Sequence, residues 1–183
     1  MHRFKQGETV VELVQADIVQ SDTVAIANAA NSMLMGGGGV DGAIHRAAGP
    51  ELMEALHELK RDLPGGVLET GGAVLTAGFA LQAKYVIHCV GPIYDREGER
   101  AKKLLARCYG TALRLCRQHA IDSITFPSIS TGVYGYPLAE AAPVALEAVR
   151  RGLAEGPPPR LVRFSLFDQK TVDAYRTAAE KLF

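Results

Sequence analysis

Asn28-Ala29-Ala30-Asn31-Ser32-Met33-Leu34-Met35-Gly36-Gly37-Gly38-Gly39-Val40-Asp41-Gly42 is the stretch on which the fold turns, and it runs on as Ala43-Ile44-His45-Arg46-Ala47-Ala48. The apolar run before it, Val24 to Ala27, reads as a short buried strand, and the segment after Gly42 reads as a helix. Five of the 19 glycines fall between Gly36 and Gly42. A strand, a glycine-rich loop and a helix N-terminus in that order let backbone N–H groups converge on an anion, with the helix dipole behind them. The only two asparagines of the chain, Asn28 and Asn31, sit in the same loop. Gly37, Gly39 and Gly42 match G-x-G-x-x-G literally, but several loop residues separate them from their strand. The acids downstream, Glu58 and Asp62, fall in or near a helix, so the dinucleotide fingerprint does not apply. The G-x-x-x-x-G-K-[ST] phosphate loop is absent.

Outward from this stretch, apolar runs alternate with helical patterns. Strands are expected at Thr9 to Ala16, Val24 to Ala27, Gly72 to Thr76, Tyr85 to Val90, Ser123 to Phe126 and Leu161 to Leu166. Helices are expected at Glu51 to Leu63, Glu99 to His119, Leu138 to Leu153 and Thr171 to Leu182, besides the one entered after Gly42. Alternation of this kind implies an α/β domain in three layers, a sheet covered on both faces by helices. Gly156-Pro157-Pro158-Pro159 is too short for a linker between domains and reads as a stiff connection, so residues 1–183 read as one domain. Ligands of such folds sit beyond the carboxyl ends of the strands.

A second loop of the same grade, Pro127-Ser128-Ile129-Ser130-Thr131-Gly132-Val133-Tyr134-Gly135-Tyr136-Pro137, comes after the strand at Ser123 to Phe126. Two such cradles suit a diphosphate. Neither contains Lys or Arg, so neutral backbone donors would do the holding, and no acidic pair is spaced to hold Mg²⁺. Two further strand-end loops frame the pair. Asp17-Ile18 offers a carboxylate that can accept from the exocyclic amine of a base, or can serve as a cap. Phe167-Asp168 offers a ring that can stack on a base, or that packs in the core if taken alone.

Composition narrows the partners. Lys and Arg total 20, as do Asp and Glu, and basic residues occur in runs no longer than pairs, which disfavours nucleic acid as the main ligand. No apolar stretch is long enough to span a bilayer, and the N-terminus has no apolar signal region, so no membrane partner is expected. Three cysteines, Cys89, Cys108 and Cys116, with no C-x-x-C, argue for a reducing compartment, and a cytoplasmic location is the expectation. Cys89 reads as core, Cys108 and Cys116 as packing residues of one helix, and His45 as structural. His88 and Cys89, adjacent in a strand, point to opposite faces and cannot pair.

N-A-A-N from Asn28, G-G-G-G-V-D-G-A-I-H-R-A-A-G from Gly36 and P-S-I-S-T-G-V-Y-G-Y-P from Pro127, in this order and spacing, resemble the macrodomain family. Within it they resemble most the MacroD-type ADP-ribosyl hydrolases and O-acetyl-ADP-ribose deacetylases. The resemblance implies a three-layer α/β/α sandwich with a mixed central sheet that binds ADP-ribose in a cleft and needs no cofactor and no metal. It implies that Asp17 binds the adenine amine with Ile18 packed beside it. Asn28 and Asn31 face the distal ribose, and Gly37, Gly38, Gly39 and Val40 line ribose and diphosphate. Ser130, Thr131, Gly132, Val133 and Tyr134 form the second phosphate loop, and Phe167 and Asp168 contact the adenosine side. Asn31 and Asp41 are the implied catalytic pair. Where the family often has Gly before the Asp-Ile pair, this chain has Ala16, which a backbone turn with positive φ would strain.

The implied reaction is hydrolysis of an ester on the distal ribose, its acyl part acetate or an Asp or Glu side chain of a modified protein. Asp41 would orient or deprotonate the water, although as a first-turn carboxylate it also suits the helix dipole. The ligand's own phosphate is the alternative activator. A non-catalytic ADP-ribose-binding module and an ADP-ribose-1″-phosphate phosphatase are the alternative functions; an oxidoreductase is disfavoured by the misplaced glycine motif.

Overall fold

The computed structural model describes residues 1–183. Its single sheet has seven strands, β1 (His2–Gln6), β2 (Thr9–Gln15), β3 (Ala25–Ala30), β4 (Ala73–Ala77), β5 (Tyr85–Val90), β6 (Ser123–Phe126) and β7 (Leu161–Leu166), in the order β1-β2-β7-β6-β3-β5-β4. The pairs from β2 through β7, β6 and β3 to β5 are parallel, and the outer strands β1 and β4 are antiparallel to their neighbours, so the sheet is mixed. The helices are α1 (Gly39–Ala48), α2 (Glu51–Lys60), the single turn α3 (Tyr94–Glu97), α4 (Ala101–Gln118), α5 (Leu138–Leu153) and α6 (Gln169–Ala179). None is long and apolar enough to cross a membrane.

Strand alternation sorts the core. Ala25 and Ala27 of β3 and Ile87 and Cys89 of β5 point into a cluster of 32 buried residues shared with α4, α5 and α6. Ile26 and Ala30, with Val86 and Val90, point the other way into a cluster of 13 shared with α1 and α2. The three layers expected are therefore present. The chain leaves β3 for α1 on one face and leaves the adjacent β6 for α5 on the opposite face. Neighbouring connections that depart to opposite faces make a switch point, where a crevice opens beyond the strand ends.

Six of the strands fall where the sequence places them, within a few residues. β3 differs most: it runs to Ala30, so Asn28 belongs to the strand and not to the loop. β1 was not anticipated; its alternation His2, Phe4, Gln6 against Arg3, Lys5 is half-buried against exposed, too polar to register as a strand. α6 starts at Gln169 because Asp168 caps it, accepting from the Thr171 N–H at 2.8 Å. The residues with positive φ do not include Ala16, so the Gly-to-Ala departure carries no strain. Cys89, Cys108 and Cys116 are free thiols in the larger cluster, as packing residues should be.

Candidate functional site

Because β3 and β6 are neighbours, the two glycine-bearing loops lie side by side at the carboxyl edge of the sheet. In the first, no N–H from Gly36 to Asp41 is donated within the chain; Gly42 is the first to bond, to Gly38 O at 3.2 Å. α1 has no side-chain cap, since its N-cap is Gly38. Its open N-terminus is an array of unpaired donors with the positive end of the helix dipole behind it. The second loop repeats the pattern. Gly135 N–H and Tyr136 N–H close turns onto Gly132 O and Ser130 O, and the N–H groups of Thr131 to Tyr134 find no acceptor in the chain. Ser130 takes the left-handed conformation, φ 68°, and its buried hydroxyl has no partner. From beneath, the loop is pinned by two phenols: Tyr109 OH accepts from Ile129 N–H at 3.1 Å, and Tyr175 OH donates to Ser128 Oγ at 3.0 Å. α3 ties in through Tyr94 N–H to Tyr134 O at 2.9 Å.

The acidic residue sits between the loops. Asp41, 5% exposed in the first turn of α1, has one oxygen engaged and one open. Oδ1 accepts from Asn28 Nδ2 at 2.7 Å and lies 3.3 Å from His45 Nε2, one helical turn on. Oδ2 lies toward Gly37, 3.2 Å from where a Cβ on that glycine would stand; Asn31 Nδ2 is 3.8 Å from the same point. Asp41 and Asn31 thus flank a position that a side chain at residue 37 would crowd. Asn31 also braces its loop, donating to Gly36 O at 2.8 Å and accepting from Met35 N–H at 3.4 Å, with one amide N–H to spare. Across the crevice, burial and then the negative charge of Asp41 push the Tyr134 phenol above its usual range, which puts the second loop within electrostatic reach of the carboxylate.

The outer loops also meet. Ala16 N–H donates to Leu166 O at 3.3 Å and Ser165 Oγ to Ala16 O at 2.7 Å, so Asp17 and Phe167 stand at adjacent strand ends. Asp17 caps a short 3₁₀ turn, accepting from Val19 N–H at 3.1 Å, and a concavity of about 530 Å³ opens beside it. Phe167 is 93% exposed, a free aromatic face and not a core residue. Asp168 engages Oδ1 with Thr171, whose bonds hold its carboxyl below the usual range.

One expectation needs correction. Asn28 is fully buried in β3 and does not face the crevice: its amide nitrogen bonds Asp41 and His88, because the strand continues to Ala30 and its alternation puts position 28 on the α1 side with Ile26 and Ala30. Ile18 packs into the smaller core cluster, since the 3₁₀ turn folds it inward. Val133 is fully exposed, leaving only its backbone to the loop. Sequence reading missed His88 and Thr76, which stand behind Asn28. The signal was the parity of Asn28 and His88, which face each other across the β3–β5 register. No group of three or more His, Cys, Asp or Glu side chains converges as metal ligands would. A larger groove of about 1240 Å³ between α4, α5 and α6 contains none of the expected site residues.

Residues 27–145 match the Macro domain family model. A macro domain-containing protein of Chlorobaculum tepidum is 47% identical over 169 residues, covering 92% of this chain and 95% of that protein. An O-acetyl-ADP-ribose deacetylase of Cronobacter turicensis is 45% identical over 166 residues, covering 91% and 93%. Among solved structures, a mutant Oceanobacillus iheyensis macrodomain with ADPR is similar at a TM-score of 0.95 and 43% identity, covering 99% of this chain and 97% of that one.

Proposed function

This chain belongs to the macro domain family, and from that premise we propose that residues 1–183 form one domain that binds ADP-ribose and hydrolyses esters on its distal ribose. The observation that carries the reading is the divided carboxylate of Asp41, with Oδ1 anchored and Oδ2 open beside Asn31, at the end of an unpaired row of backbone donors. The donor rows of Gly37 to Val40 and Ser130 to Tyr134 take the diphosphate and ribose, in keeping with anion binding at open helix N-termini. Phe167 stacks on the adenine and Asp17, through its second oxygen, accepts from the adenine amine; Asp168 closes the adenosine end. The spare amide N–H of Asn31 holds a ribose hydroxyl. Asp41 Oδ2 orients a water and takes up its proton as the oxygen adds to the acyl carbon; the acyl–oxygen bond to ribose breaks and that oxygen is protonated. General-base assistance of this type gives about 10²–10⁴-fold.

Carboxylic acid and ADP-ribose are the products, whether the acyl group is acetate or a protein Asp or Glu side chain. The O-acetyl-ADP-ribose deacetylase of Cronobacter turicensis supports the acetate ester as first substrate. The three buried free thiols accord with a reducing, cytoplasmic setting. Acetate release from O-acetyl-ADP-ribose under single turnover, with ADP-ribose affinity measured alongside by calorimetry, tests the proposal. Release on a catalytic timescale supports it. Tight ADP-ribose binding with neither deacetylation nor removal of ADP-ribose from a modified glutamate would make the protein a binding module.

A further inference from the structure

We propose that His88 is a positioning residue for Asp41: acting through the Asn28 amide, its ring fixes which carboxylate oxygen is engaged and which is left open. The inference rests on the role of Asp41 in the proposed hydrolysis. His88 is fully buried on β5, opposite Asn28 in the parallel register. Its Nδ1 is 3.1 Å from Asn28 Nδ2 and its Nε2 is 2.9 Å from Thr76 Oγ1. These contacts leave little freedom. The Asn28 nitrogen can only donate, so Nδ1 must accept, and the single proton of a neutral imidazole must sit on Nε2. Nε2–H then donates to Thr76 Oγ1, whose own proton goes to Ala77 O at 3.1 Å. Rotating the Asn28 amide by half a turn would set its oxygen against Asp41 Oδ1 at 2.7 Å, acceptor on acceptor. The observed orientation leaves Asn28 Oδ1 buried without a partner. Burial, reinforced by the charge of His45, lowers His88 to about 3 and keeps the ring neutral, as an acceptor must be.

A packing role does not account for this chain of bonds. The neighbours of Asn28 and His88 on the same strand faces are Ile26, Ala30, Val86 and Val90, and an apolar pair would fill the site without the cost of burying polar groups. What the polar pair adds is direction. Thr76 and Asn28 together fix the tautomer of His88, the acceptors His88 Nδ1 and Asp41 Oδ1 together fix the Asn28 amide, and the amide so held engages Asp41 Oδ1, which leaves Oδ2 toward Gly37. Groups that orient a metal's ligands are typically worth ten- to a hundredfold in metal affinity or activity, and a carboxylate oriented in the same way is expected to fall in that range.

The test uses the full chain and one readout that does not depend on activity. Because Asn28 and Asn31 are the only asparagines, protein labelled with ¹⁵N in Asn and His shows two side-chain amide pairs and five imidazoles. In the wild type the His88 ring is expected as the Nε2–H tautomer at neutral pH, with the Asn28 amide slow to exchange. His88→Leu, and Thr76→Val should the former not fold, should speed that exchange. Single-turnover acetate release should fall about tenfold or more, with ADP-ribose affinity changed less than about threefold. His88→Asn, which offers an acceptor near the position of Nδ1, should restore most of the loss. An Nδ1–H tautomer, an Asn28 amide indifferent to His88→Leu and Thr76→Val, or equal rate losses in the Leu and Asn variants would each overturn the proposal. If the wild type releases no acetate, the hydrolase reading fails, and tautomer and amide exchange still decide whether His88 orients Asn28.

Discussion

Asp41 divides its two oxygens between the core and the crevice, and each half has its own consequence. Replacing it with alanine removes the open oxygen while leaving both donor rows in place. Asp41→Ala should therefore cut single-turnover deacylation of O-acetyl-ADP-ribose by about two decades or more, the range of lost acid–base assistance, with a much smaller change in ADP-ribose affinity by calorimetry. Full activity in that variant would remove the carboxylate from the mechanism. Gly38 makes the complementary case. A Cβ there meets nothing within 4 Å, and its φ of −93° suits any residue, so Gly38→Glu should fold normally. The new carboxylate would stand among the unpaired N–H groups and repel phosphate, so ADP-ribose binding should be lost with the melting temperature unchanged. Near wild-type affinity in a folded Gly38→Glu protein would mean that this loop is not the anion cradle. These residues were legible in the sequence because glycine clusters and paired asparagines are local signals. The division of labour between Asn28 and Asn31 was not, because it depends on which way a side chain points one residue past an assumed strand end.

The loop between β6 and α5 holds its shape with a non-glycine residue in the left-handed region. Ser130 at φ 68° sits where an L side chain costs roughly 1–2 kcal/mol. Ser130→Gly relieves that cost, offset in part by the greater freedom glycine gives the unfolded chain. The variant should be more stable by up to about 1 kcal/mol in urea unfolding, with ADP-ribose affinity within about threefold, because the donors of this row belong to the backbone. A destabilised variant would mean that the buried hydroxyl contributes more than its lack of a partner suggests. At this scale the elements themselves were largely readable. β5, β6, β7 and α5 begin and end where apolar periodicity places them, since each lies on the core and its pattern is dictated by burial. β1 escaped notice because an edge strand need bury only one face, and Arg3 and Lys5 on its open side break the apolar signal. The pairing of Asn28 with His88 escaped because strand register joins segments 60 residues apart, which no local pattern reports.

For the whole molecule, the buried imidazole sets an acid limit. His88 ionises at about 3 in the folded chain, against an ordinary value near 6.5. Above about 6.5 neither state binds the proton and the stability is full. As pH falls from there toward 3, the unfolded chain takes up a proton that the folded chain refuses, and stability drops by about 1.4 kcal/mol per pH unit. The depressed carboxyl of Glu147, at about 2 through Arg150 and Arg151, acts only below its ordinary 4.5 and does not intrude on the upper part of this window. Urea unfolding at about pH 7 and pH 5.5 should show the wild type losing about 1 kcal/mol more than His88→Asn. Equal losses would mean that His88 is protonated in the native state. The two core clusters carry a separate consequence. With 13 buried residues in the cluster under α1 and α2 against 32 in the one under α4, α5 and α6, the crevice is a seam between two plates of unequal thickness. The thinner plate should breathe first, its amides exchanging with deuterium well before those of α4 and α5. A ligand that grips donors on both sides of the seam would act as a staple: saturating ADP-ribose should slow exchange across α1 and α2 while leaving α4 and α5 as they were.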